Sequence, residues 1–185
     1  SKEVRRWIQA VKSSGFEIGF HPSRMAASDK SQFMNELTRI CNVTEEKIRL
    51  SRQHYLCFFP EKTTDILDEC GVVADSSTGF SRHIGFRTGT SLTYPKYSYT
   101  KKRASNVLTK PFQIMDVALL ELYDSGVNVE DMVFDVCSQQ LRNGKPISIL
   151  WHPHNIGAYE FCSRNLDLES ILNAVDNRMN KNVAS

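Results

Sequence analysis

The sequence predicts an α/β fold: a mostly parallel sheet, doubly wound or curled into a barrel, with its helices outside. Three observations lead there. Apolar stripes at helical spacing alternate along the chain with short apolar runs of strand character. The connections between them are short, which is how strand-then-helix units build a parallel sheet. Five successive strand candidates also end in a residue able to bind metal, transfer a proton or pair a charge. In both architectures chemistry gathers at the carboxyl ends of the strands.

The elements follow in order. Val4, Trp7, Ile8 and Val11 recur at helical spacing and stop before Ser14-Gly15, a glycine that closes the helix. FEIGF then reads as a strand running into His21-Pro22. Phe33, Met34, Leu37, Ile40 and Cys41 form the next stripe, with Ser28 or Ser31 placed to cap it. KIRLSRQHYLCFF is strand-like and is stopped by Pro60. A short helix around Thr64 to Cys70 is closed by Gly71, and Val72-Val73-Ala74 runs as a strand into Asp75. From 76 to 110 the pattern lapses. Gly79, Gly85, Gly89, Pro95 and the basic run Lys101-Lys102-Arg103 predict a long irregular segment, of the kind that often serves as a lid. PFQIM reaches Asp116, and a helix with the stripe Val129, Met132, Val133, Val136 and Cys137 ends at Asn143-Gly144. ISILW is the most apolar strand and reaches His152; a last helix carries Leu168, Ile171, Leu172, Val175 and Met179 behind a capping Asp167. No repeat, linker or charge block divides residues 1–185, so a single domain is expected.

Composition narrows the function. The 185 residues carry 23 Lys+Arg against 21 Asp+Glu, a net charge of +2, which supplies no field for non-specific nucleic-acid or membrane binding. With 41% hydrophobic and 24% charged residues the chain is globular in type. There is no run of about 18 apolar residues, so no membrane span is expected. The five cysteines are odd in number and form no Cys-x-x-Cys pair. They read as small buried hydrophobes in a reducing compartment such as the cytoplasm. Lys101-Lys102-Arg103 has only Tyr97 and Tyr99 near it, which fits a solvated loop better than a nucleic-acid patch.

The strings GFEIGFHPS, RQHYL, DSSTGF with GFRTGTS, and ILWH follow one another between about Gly15 and His152. Together they resemble the polysaccharide deacetylase family (NodB-like, carbohydrate esterase family four), and more closely a bacterial branch in which the HPS, RQHY and GFR-GT strings recur. The resemblance implies a partial or distorted (β/α) barrel with parallel strands and outer helices. It also implies hydrolysis of the amide or ester bond of acetyl groups on a polysaccharide or related glycan. A divalent metal, zinc, would be held by His21. Met25 stands where the second family histidine falls, so His54 is either its replacement or a packed or solvent-facing side chain. Arg52 would orient the base, the backbone near Tyr55 would stabilise the oxyanion, and His152 would be the general acid. Asp75, Asp116 and Arg87 are the further expected substrate contacts.

The family's Asp-Asp pair, base and metal ligand, has no counterpart before His21. The expectation is therefore the later part of a longer protein, lacking its first strand or strands and inactive alone, since a complete barrel takes about 250 residues, or else a degenerate relative without the catalytic base. A strand edge left open this way predicts self-association. Two other functions remain: a non-catalytic carbohydrate-binding or scaffold barrel, and a different metal hydrolase built on His152 and His154.

Overall fold

The structure, a computed structural model, describes residues 2–142 and 144–183, with side-chain surroundings as far as Arg178. It is a mixed α/β fold with parallel strand pairs, and the chain divides into two compact units, Ser1–Ser77 with Thr93–Lys110 and Thr78–Leu92 with Pro111–Ser185. No closed barrel is formed among the described residues. The strands that carry the expected parallel order are each only two residues long.

In the first unit, α1 (Lys2–Ser13) and α2 (Lys30–Thr44) precede β1 (Leu50–Ser51), α3 (Thr63–Glu69), β2 (Ala74–Asp75), β3 (Tyr94–Ser98) and β4 (Arg103–Thr109). The sheet order is β1-β2-β4-β3, with β1, β2 and β4 parallel and β3 antiparallel at one edge. The core beneath it gathers Phe20, Phe33, Leu37, Ile66, Leu67, Val72 and Val107. Complete burial of a side chain such as Phe33 stabilises by roughly 1.5–3 kcal/mol.

Several expectations change here. FEIGF ladders at one residue only, where Phe20 bridges Ser51 in parallel. Phe16, at 67% exposure, has no apolar surface to cover and does not extend the strand. KIRLSRQHYLCFF likewise pairs only at Leu50–Ser51 and then turns at His54–Leu56. α2 is capped by neither Ser28 nor Ser31 but by Asp29, whose carboxylate accepts from the Gln32 amide at 3.0 Å, where a negative group also suits the helix dipole. The apolar stripe of α1 buries no residue; ion pairs Arg5–Glu45 and Lys12–Glu46 tie that helix down instead.

The segment expected to be irregular contains a hairpin. In β4, Ser105, Val107 and Thr109 point inward while Asn106 and Leu108 point out, so a two-residue period is present but is written largely in polar residues. Lys102 takes a left-handed φ of 51° at the turn, and Lys101 faces Asp68 and Glu69 at 3.6 and 3.3 Å. Lys101 is thereby engaged within the fold, while Lys102 and Arg103 are exposed at the turn. Pro95 on the β3 edge removes a backbone donor there, which discourages strand addition.

In the second unit, β5 (Ile114–Met115) pairs in parallel with β6 (Ile149–Leu150), and α4 (Asp116–Asp124), α5 (Val129–Arg142), α6 (Tyr159–Cys162) and α7 (Leu168–Val183) surround them. Phe112, Ile114, Leu119, Val133, Phe161 and Ile171 are its buried centre. Asp167 caps α7, accepting from the Ser170 amide at 3.1 Å. Asn143 and the side chain of Met179 lie outside the described residues. No helix among those described is long and apolar enough to cross a membrane, and all five cysteines are free thiols.

Candidate functional site

The site residues of the first unit are set by the parallel run of three strand ends. The Phe20 amide donates to the Leu50 carbonyl at 2.8 Å and the Arg52 amide to the Phe20 carbonyl at 3.0 Å, which delivers His21 beside Arg52. His21 Nδ1–H donates to the Arg52 carbonyl at 2.7 Å. That bond fixes the tautomer, and Nε2 is the nitrogen left with a lone pair. Nε2 lies 2.9 Å from Nδ1 of His54, and the two ring centroids are 4.8 Å apart. In the neutral pair His54 therefore donates and keeps its own Nε2 as an acceptor.

His54 is presented by a strained turn. Tyr55 and Leu56 both occupy the left-handed region, at φ 54° and 53°, a conformation that costs non-glycine residues of order 1–3 kcal/mol each. Tyr55 is 80% exposed, with its ring edge-on to His54 at 4.4 Å between centroids. Met25, at 71% exposure, sits in the short turn Arg24–Ala27.

Arg52 is half-buried. Its Nε donates to the Ser76 carbonyl at 3.2 Å and to Ser76 Oγ at 3.1 Å, and its terminal nitrogens make no hydrogen bond among the described residues. Burial lowers its pKa and the charge of Asp75 partly restores it, so the guanidinium remains a cation. Asp75 itself is buried and paired inside the unit. At 1% exposure, it pairs with Lys96 Nζ at 3.1 Å and accepts from the Ser77 hydroxyl at 2.8 Å. Its place is a buried polar knot that braces the loop below Arg52, with its oxygens engaged by Lys96 and Ser77. Ser77 also accepts from the Gln53 amide at 2.8 Å, while Gln53 Oε1 is buried with no partner among the described residues.

In the second unit the β5–β6 register, Met115 opposite Leu150, brings Asp116 and His152 together just beyond the strand ends. Asp116 is fully buried, and both of its oxygens are occupied. Oδ1 accepts from His152 Nδ1–H at 2.8 Å and the Val117 amide at 2.8 Å; Oδ2 accepts from the His152 amide at 2.7 Å and the Asn155 side chain at 2.7 Å. Burial pushes this carboxyl up, but the hydrogen bonds from His152, Asn155 and Val117 outweigh it and hold the group below the ordinary carboxylate range. Asp116 is thus an ionised residue that positions His152, with both oxygens engaged inside the unit. It directs Nδ1–H of His152 inward and leaves Nε2 on a side chain that is 37% exposed.

His154 lies close by, 5.5 Å from His152 between ring centroids. Trp151 packs on Phe161 at 5.5 Å instead of offering a free face, and its Nε1 is buried without an acceptor among the described residues. Arg87 spends Nη1 on the Gly79 carbonyl at 2.8 Å, closing its own loop. A Cβ on Gly79 would lie 2.3 Å from the Phe112 ring, so only glycine fits there. Gly79→Ala is expected to destabilise by about 1–3 kcal/mol, the cost of overpacking. Urea unfolding checks this: the loss should shrink when Phe112→Leu is added, and simple additivity would contradict the contact.

Sequence reasoning missed Lys96, Ser76, Ser77, Gln53 and Asn155. Lys96 had one readable signal, a lysine inside the alternation of β3, but segment 76–110 is dominated by its serines, threonines and glycines.

The described residues bring two imidazole nitrogens together at His21 and His54, and no cluster of three His, Cys, Asp or Glu. Zinc sites use at least three protein ligands, so this donor set falls short of one, and no chemical step is derived from a metal here.

The geometry defines an α/β protein with a histidine pair in one unit and an aspartate-held histidine in the other. No protein-family profile matches the chain, and no curated protein matches it. The crystal structure of a candidate polysaccharide deacetylase from Mycobacterium smegmatis is similar at a TM-score of 0.49 and 16% identity, covering 80% of this chain and 52% of that one. The chain thus spans about half the length of that protein.

Proposed function

We propose that the chain is a hydrolase-like domain of the polysaccharide deacetylase kind, directed at acetyl groups on a glycan. The observation that carries this reading is the Asp116–His152 pair: a buried, ionised carboxylate that takes Nδ1–H of an imidazole whose side chain is 37% exposed. Such an imidazole is a general acid for a leaving amine or alcohol. Arg52, whose terminal guanidinium nitrogens are unspent among the described residues, supplies a cation for an anionic group, and the His21–His54 pair adds two imidazoles beside it. Tyr55, exposed on its strained turn, is the substrate-contacting side chain of that unit.

Acetate release from N-acetylated and O-acetylated oligosaccharides, with and without added zinc, tests this. His152→Ala should lower the rate about 10²–10⁴-fold. Release that is unchanged in His152→Ala sinks the role given to that residue. The second reading, a glycan-binding or scaffold domain without catalysis, is favoured by the exposed Met25 and the two-nitrogen donor set. Glycan binding with neither acetate release nor stoichiometric metal would select it. A hydrolase built on His152 and His154 would instead require metal bound at those two rings.

A further inference from the structure

We propose that the second unit carries a binding site for an acidic sugar, a hexose bearing a carboxylate, in the cavity between the 86–92 loop and the C-terminal end of α5. The cavity encloses about 450 Å³, within the range of small-molecule sites. Phe86 and Leu92 supply apolar wall suited to the C–H face of a sugar ring. Thr90, Ser91 and Gln139 place hydroxyl and carboxamide groups around it, and Lys145 adds an ammonium group. No carboxylate lines the cavity, and Lys145 has no acidic partner among the described residues. A lone cation in an otherwise uncharged cleft favours an anion, and the Thr90 and Ser91 oxygens with the Gln139 carboxamide favour a hydroxylated one.

The cavity is built before any ligand arrives. Gln140 is 3% exposed; its Oε1 accepts from Ser91 Oγ at 2.7 Å and its Nε2 donates to the Pro146 carbonyl at 3.2 Å. The first bond ties the 86–92 loop to α5, and the second ties α5 to the segment that follows it. Gly89, at φ 71°, closes the loop's own turn with its amide on the Phe86 carbonyl at 2.9 Å. Little ordering is left to oppose binding.

The choice of a sugar over other hydroxylated anions rests on the glycan reading above; the anion requirement does not. Amide NMR of the intact protein, titrated separately with sodium glucuronate, glucose and sodium acetate, tests the site. Glucuronate is expected to give saturable shifts at Phe86, Thr90, Ser91, Gln139 and Lys145 at millimolar concentration. Glucose and acetate should bind at least tenfold more weakly, and Lys145→Gln should weaken glucuronate at least tenfold while leaving the melting temperature unchanged. Absence of those shifts, equal response to glucose, equal response to acetate, or indifference to Lys145→Gln would each overturn the proposal. Acetate release is not read in this experiment, so the site and the deacetylase reading fail separately.

Discussion

Lys96→Met is expected to destabilise the protein by about 3–5 kcal/mol, because it leaves the Asp75 carboxylate buried without its cation. The pair lies 3.1 Å apart at 7% and 0% side-chain exposure, and the ammonium also sits 4.4 Å from the Phe58 ring. The Ser77 hydroxyl and amide, with the charge of Arg52 acting without a direct hydrogen bond, do not replace a contacting ammonium at a fully buried carboxylate. Asp75→Leu should cost a comparable amount by stranding Lys96. The double variant Lys96→Met/Asp75→Leu should recover much of the loss, since replacing both charges with apolar groups removes the desolvation penalty altogether. In urea unfolding at neutral pH the expected coupling is about 2 kcal/mol or more. In a chain of this size the single variants should melt roughly 6–20 °C lower. Additive losses would show that the two charges do not depend on each other.

That pair also marks the limit of what the sequence reveals. The helices are legible because their apolar stripes recur at a period that tertiary context does not disguise: Phe33 and Leu37 in α2, Val133 and Cys137 in α5, Ile171 and Val175 in α7 are all buried. The strand ends at Asp75, Asp116 and His152 are legible for a related reason, since each short parallel strand lies in an apolar run of sequence that stops at that polar residue. The β3–β4 hairpin is not, because Ser98, Ser105 and Thr109 occupy its inward positions and hide the alternation. With the hairpin goes Lys96, the partner that explains Asp75. The roles of Asp75 and Asp116 are illegible for a different reason. An acid at a strand end reads equally as a ligand contact or a buried brace, and only the partners, Lys96 and Ser77 for one and His152, Val117 and Asn155 for the other, separate the two. The His21–His54 contact depends on the left-handed turn at Tyr55, which ordinary residue preference argues against.

Asp116→Ala is expected to cost about 3–5 kcal/mol, since it strands the amides of His152 and Val117 together with the Asn155 side chain, all of which now donate to one buried carboxylate. Its pH dependence has a definite sign. The folded carboxyl lies below its ordinary value, so its contribution is fully present above about pH 4 and is lost as the pH falls through the lower folded value. The stability gap between wild type and Asp116→Asn, measured by urea unfolding, should therefore be constant at neutral pH and close on acidification below about pH 4. A gap that widens there would reverse the assignment of Asp116 as ionised. A purely structural role would end at that point, and the positioning role predicts more. In ¹⁵N spectra the neutral His152 ring should carry its proton on Nδ1 in wild type and lose that fixed tautomer in Asp116→Asn, because an amide can present either a donor or an acceptor to the ring. If Asp116→Asn leaves the tautomer of His152 unchanged, the carboxylate merely fills space, and the general-acid reading of His152 loses the group that aims it.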